Sequence, residues 1–163
     1  MPRLMITLVL ATPLVVFGQE TFHGLELRAR CIDNAPCHFL NEDIRVELEL
    51  RNAGSEDVQV PAGFYRRRGP SVKLMDCHSG KETSLAINPP DARLLKSPQT
   101  LRSGQSFRFT WRILPTEIGH FALRPIDVSA VFSVNLTPGV RGGQARIVSS
   151  ELRITDPAGS ASR

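Results

Sequence analysis

Asp43–Asn52 reads DIRVELELRN. Ile44, Val46, Leu48 and Leu50 hold one parity, and Arg45, Glu47, Glu49 and Arg51 hold the other. Successive side chains of an extended strand point to opposite sides, so alternation this strict gathers all the apolar groups on one face. A helix would scatter the same residues around its circumference. Phe107–Ile113, FRFTWRI, repeats the pattern, with Phe107, Phe109, Trp111 and Ile113 alternating with Arg108, Thr110 and Arg112. Burying each large apolar side chain contributes about 1.5–3 kcal/mol, so two such faces make the centre of an all-β domain. The outward faces carry Glu47 and Glu49 on one strand and Arg108 and Arg112 on the other. Opposite charges across a strand pair contribute only about 0.2–1 kcal/mol each, yet they favour this pairing over like-charged ones. The two strands are therefore expected side by side in one sheet, with Trp111 in the core.

Working outward, His23–Cys31 (HGLELRARC) alternates Leu25, Leu27 and Ala29 and reads as a first strand. Asp33-Asn34-Ala35-Pro36 is turn chemistry, since Asn and Asp bond their own backbone and Pro fixes one dihedral. Asp57–Pro61 is a short strand, and Ser71–Asp76 with Glu82–Ile87 flanks His78-Ser79-Gly80-Lys81 as a β-hairpin. Asn88–Thr100 holds Pro89, Pro90 and Pro98 without a clean period and reads as a connection, tacked to the core by Leu94 and Leu95. Gly119–Arg124 and Ile126–Val134 read as two further strands divided by Pro125, and Thr137–Gly143 as a turn before a last strand over Ala145–Thr155. About eight or nine short strands with no helical period predict an immunoglobulin-like, two-sheet antiparallel β-sandwich of about 7–9 strands.

The 163 residues fit one domain preceded by a targeting segment. Met1–Arg3 is a short basic start, Leu4–Val16 is mostly apolar, and Val16 and Gly18 are the small residues before Gln19. That layout predicts a secretory signal over residues 1–18, cleaved near Gly18-Gln19. The apolar run falls short of the roughly 20 residues a membrane span needs, and Pro13 interrupts it. The sandwich is expected over residues 19–156, a disordered tail over 157–163, and a secreted or periplasmic location. A net charge of +4 with one Trp and one Tyr argues against nucleic acid as partner.

RVELELRNAGSEDVQV, then LRSGQSFRFTWRI, then EIGHFALR, together resemble secreted bacterial immunoglobulin-like modules, the CARDB-type cell-adhesion-related domains and the intracellular proteinase inhibitor family. The shared pattern is a strand ending in Asn-x-Gly (Asn52, Gly54), a Gly turn feeding a strand that ends near Trp (Gly104 to Trp111), and Gly-aromatic opening a later strand (Gly119, Phe121). The resemblance spans most of the chain beyond residue 18 and implies the sandwich. Its parts are framework residues, which identify a fold and not an activity. The Cys-bearing first turn and the single occurrence depart from tandem-array modules.

Cys31, Cys37 and Cys77 lie in a chain expected to be exported, where thiols oxidise. Cys31 and Cys37 bracket a tight turn and are the favoured pair; a bridge involving Cys77, or none, are the alternatives. Cys77 then stays as a thiol able to link a second chain. Met75, Cys77 and His78 are the soft ligands of an alternative copper-binding or thiol-redox reading, although neighbours along a strand diverge to opposite faces. No metal or cofactor is expected. Phe64-Tyr65-Arg66-Arg67-Arg68 is the densest positive stretch, read as a loop that grips carboxylates or a sulfated glycan, or else as a solvated loop with its aromatics packed beneath. Gly-x-Ser-x-Gly and His-Glu-x-x-His motifs are absent from the sequence. The expected activity is thus non-catalytic: recognition of a protein or anionic glycan through an edge strand, the Arg66–Arg68 stretch or the Asn88–Thr100 connection. Proteinase inhibition by an exposed loop is the alternative within the same class.

Overall fold

The computed structural model describes residues 24–33, 36–137 and 146–157. The expected signal (1–18), the Asn34-Ala35 centre of the first turn, most of the Thr137–Gly143 turn and the tail beyond Pro157 lie outside these residues.

The chain is an all-β antiparallel sandwich. Strands β1 (Leu25–Cys31), β2 (Ile44–Asn52) and β7 (Ser106–Ile113) form one sheet in the order β1-β2-β7. The facing sheet runs β5-β4-β8-β9, from β4 (Ser71–Asp76), β5 (Glu82–Ser84), β8 (Asp127–Asn135) and β9 (Ile147–Thr155). A ribbon of β3 (Val58–Val60) and β6 (Gln99–Leu101) stands apart.

The two lead strands are antiparallel neighbours, with Leu48 opposite Phe109 and Leu50 opposite Phe107. Val46, Leu48, Leu50 and Ile113 are fully enclosed, as are Leu74, Val128, Ala130, Phe132 and Ile154 of the second sheet. On the outer face Arg108 donates to Glu49 from Nε (3.2 Å) and Nη2 (2.9 Å), across a directly opposed pair. Arg112 departs from the expectation. It stands opposite Arg45, and the two like charges are drawn apart, Arg112 to Asp43 (3.1 Å) and Arg45 to Asp33 (2.6 Å).

Asn52 ends β2 and is wholly buried. Its Nδ2 donates to the carbonyls of Glu56 (2.7 Å) and Leu101 (2.9 Å), and its Oδ1 accepts from the Gly54 amide (3.0 Å). The Asn-x-Gly pattern thus has a physical reason: one amide side chain satisfies a turn and ties it to β6.

One side of the sandwich is closed where β1 meets β9. The Ala29 amide donates to Ser150 Oγ (3.0 Å), and the Cys37–Phe39 segment bonds Thr155 through both of its backbone groups, at 2.8 and 3.1 Å. Cys31 and Cys37 are disulfide-bonded, with Cα atoms 5.7 Å apart. This bridge therefore joins the edge of one sheet to a segment held by the edge of the other.

The opposite side is closed by a helix that the sequence reading lacks. Ala62–Arg68 is helix α1, not a loop. Pro61 precedes it, Arg66, Arg67 and Arg68 place positive charge at the end where carbonyls are unpaired, and the Gly69 amide caps Tyr65 O. Seven residues are too few to show a period, and the helix persists because Phe64 and Tyr65 pack into the core.

Three further readings are corrected. Gly119–Arg124 is not a strand: Pro115–Gly119 is a short helix, α2, with Pro115 at its first position and the Glu117 carboxylate accepting from the Leu114 amide (2.7 Å). Asn88–Thr100 is not wholly irregular, since it contains a 3₁₀ turn at Ala92–Lys96 and strand β6. Trp111 is only partly buried, packed against the core from its margin. It lies on an edge strand, with its six-membered ring against Gly69 rather than in the centre of the core.

Candidate functional site: the groove beside helix α1

The residues singled out in the sequence separate into two places. Helix α1 and the Pro-rich connection lie against each other. The Asn88 amide and its Nδ2 donate to the carbonyls of Arg68 (3.2 Å) and Arg67 (2.9 Å), so one asparagine caps the end of α1 and anchors the connection. Asp91 opens the 3₁₀ turn by accepting from the Arg93 amide (3.1 Å). Its carboxyl is held below the usual carboxylate range, first by the Arg93 side chain and to a lesser degree by the charge of Arg67.

Between these two elements and the ends of β8 and β9 runs a groove of 510 Å³, lined by Phe64, Tyr65, Arg68, Leu95, Val134 and Ile147 among others. Phe64 and Tyr65 are buried and form its floor, rather than exposed contact groups. Tyr65 donates from its hydroxyl to Asn135 O (3.0 Å), and burial pushes that hydroxyl's pKa well up. The hydroxyl therefore stays protonated and fixes the floor to the end of β8. Ile147 is 52% exposed, an apolar side chain left in water at the groove's edge.

The three arginines diverge as a helix requires. The Arg68 guanidinium lies 5.8 Å from the Phe64 ring centre, and that of Arg66 lies 4.9 Å from Phe107. Stacking on a ring leaves the N–H edges of a guanidinium open to a carboxylate. Arg67 is exposed to solvent. Sequence reasoning missed Ile147, although a signal existed. In β9 the buried residues Val148, Leu152 and Ile154 share one parity, and Ile147 is an apolar residue on the other.

Met75, Cys77 and His78 lie elsewhere, at the β4–β5 turn. Met75 is on the outward face of β4, and Cys77 is an exposed free thiol. His78 Nε2 sits 2.9 Å from Pro125 O. A carbonyl only accepts, so that nitrogen carries the proton and leaves Nδ1 alone as a potential ligand. Buried Asp76 organises this turn, accepting from Ser79 Oγ (2.5 Å) and from the amides of Ser79 (3.2 Å), His78 (3.4 Å) and Leu123 (3.4 Å). Among the described residues, no group of three or more His, Cys, Asp or Glu is placed to hold a metal ion. None of the helices among them is long and apolar enough to cross a membrane.

No protein-family model matches the sequence, and no curated protein matches it. Among solved structures, the chain is similar to Spo0M, a sporulation control protein from Bacillus subtilis, at 8% identity and a TM-score of 0.44, over 82% of this chain and 50% of that one. It is also similar to parts of two β-glucosidases. For EmGH1 from Erythrobacter marinus the identity is 11% and the TM-score 0.37, over 80% of this chain and 15% of that one. For the Listeria innocua enzyme, solved with glucose, the values are 10% and 0.36, over 80% and 16%. This chain thus spans half of the first structure and a small part of the other two, and likeness at this level carries nothing about activity.

Proposed function

We propose that this chain is a non-catalytic recognition module of an oxidising compartment, which takes its partner at the groove beside α1. The observation that carries the reading is the convergence in the groove of a buried aromatic floor, an exposed isoleucine and a stacked arginine, Phe64, Tyr65, Ile147 and Arg68. Recognition sites of soluble proteins commonly combine apolar anchoring surface with a few convergent polar groups, and Arg and Tyr are enriched in them. The Cys31–Cys37 bridge supports a secreted or periplasmic setting, since structural disulfides persist where thiols are not kept reduced.

The test is site-specific crosslinking. A photoreactive residue at Ile147, and separately at Arg102 on an exposed turn remote in sequence, is carried on the intact protein in its own envelope fraction. A discrete adduct from position 147 that is absent from position 102 supports recognition at the groove. Equal adducts from both positions, or none from 147, would count against it.

A further inference from the structure

Charge is spread unevenly over this molecule. On the outer face of the β1-β2-β7 sheet, Arg28, Arg30, Arg45, Arg51, Arg108 and Arg112 meet Glu26, Glu47 and Glu49, with Asp33 and Asp43 at its end. That surface is close to neutral. Arg51 stands opposite Glu26 in the strand register, and Arg102 follows Leu101, whose partner Val58 follows Asp57. Helix α1 and the 3₁₀ turn at Ala92–Lys96 differ. Packed against each other, they carry five positive side chains, Arg66, Arg67, Arg68, Arg93 and Lys96, and with the residue that caps the turn a single carboxylate, Asp91. Arg93 already engages both oxygens of Asp91, at 3.0 Å each. Four positive side chains are thus left without a carboxylate on either element, and four is also the formal charge of the whole chain.

Consecutive helical residues project about 100° apart, so Arg66, Arg67 and Arg68 do not converge on one anion. The guanidiniums of Arg66 and Arg68 lie over the Phe107 and Phe64 rings, while Arg67 and Lys96 are exposed. Divergent charges suit a bendable chain with many anionic groups better than a flat bilayer, which meets one side of a helix at a time. Protein partners are anchored chiefly by apolar and aromatic side chains. Neither α1 nor the 3₁₀ turn carries an exposed large apolar side chain to receive one.

We infer that the corner formed by α1 and the 3₁₀ turn is a second binding surface, taking a linear glycan that bears sulfate or phosphate esters. The planar fork of arginine matches such oxyanions. Arg66, Arg67, Arg93 and Lys96 do not line the groove, so this surface does not depend on what the groove holds.

The experiment titrates the intact protein with a sulfated linear oligosaccharide, a phosphorylated one of the same length, the unmodified oligosaccharide, polyglutamate, and vesicles of anionic phospholipid. Binding is expected for the sulfated chain, the phosphorylated chain or both, which tells the two esters apart, and it should weaken as salt rises. Arg67→Gln with Lys96→Gln should weaken it by roughly five- to tenfold. Arg28→Gln with Arg51→Gln removes the same charge from the outer face of the first sheet and should change it by less than about twofold. These side chains lie at the surface, so both variants are expected to keep the fold, which the unfolding midpoint checks.

Equal weakening by the two pairs would report net charge alone and overturns the inference. So does failure of both esterified chains to bind, or equal binding of the unmodified one. Polyglutamate binding as tightly as the esterified chains makes the partner an acidic protein, and binding to vesicles alone makes it a membrane; either overturns the glycan. None of these outcomes bears on recognition at the groove, which the crosslinking at Ile147 decides.

Discussion

Gly69 lies against the indole of Trp111 so closely that a side-chain carbon on it would collide with the six-membered ring, at Cζ3, Cε3 and Cη2. Gly69 has φ of +79° and turns the chain from α1 into β4, so this close approach helps seat the helix on the edge strand β7. Gly69→Ala combines a left-handed backbone that disfavours a Cβ with overpacking of a partly buried ring. The expected loss is about 2–4 kcal/mol of unfolding free energy, measured in urea. Trp111 is the sole tryptophan, so its emission should shift in the folded variant as well. Unchanged stability would show that the helix rests on other contacts.

Asn52→Ala should cost about 2–4 kcal/mol, because it leaves the Glu56 and Leu101 carbonyls and the Gly54 amide without their shared partner in a dry site. Asn52→Asp should fail as well, since a carboxylate cannot donate to two carbonyls. Hydrogen exchange should show the amides of β6 opening more readily in both variants.

Acid should weaken the fold through Asp76. Its carboxyl is held below the usual range, chiefly by the Ser79 hydroxyl and then by backbone amides of His78, Leu123 and Ser79, against the opposing effect of burial. A depressed folded pKa contributes stability that is present above the unfolded value, about 3.9, and lost as pH falls through the folded value. Denaturant midpoints should therefore fall steeply below about pH 4. Ser79→Ala should reduce stability at neutral pH and flatten that fall. An identical acid limb in both proteins would place the sensitivity elsewhere.

Cys31→Ser with Cys37→Ser should lower stability by about 2 kcal/mol, the loop-closure entropy of a small ring. The contribution lies mainly in the unfolded chain, so the folded spectrum should be retained. Alkylation without reductant should modify Cys77 alone, and with reductant after unfolding all three cysteines. Modification of more than one cysteine in the unreduced protein would contradict the bridge.

The central pairing was legible because its determinants are local and redundant. Leu48 opposite Phe109 and Glu49 opposite Arg108 state the same register twice, once in oil and once in charge. The likeness of Arg45 and Arg112 was invisible, since which residues stand opposite depends on where both strands begin. Gly119–Arg124 misled because a Gly-aromatic pair suits a helix end followed by a turn as well as it suits a strand start. Of the groove, Phe64, Tyr65 and Arg68 were marked by composition. Ile147 was not, because its significance lies in facing water beside a floor built from distant segments.

From the sequence alone came most of the strands, the inward and outward faces of the central pair, the meeting of β2 with β7 and the favoured cysteine pair, because each follows from spacing over a few residues. Only the tertiary structure decided that Ala62–Arg68 is a helix, which Phe64 and Tyr65 stabilise by contacts outside their own segment. It alone brought that helix, the Pro-rich connection and the ends of β8 and β9 around one groove. Burial and unpaired charge are properties of the packed chain, and no local pattern carries them.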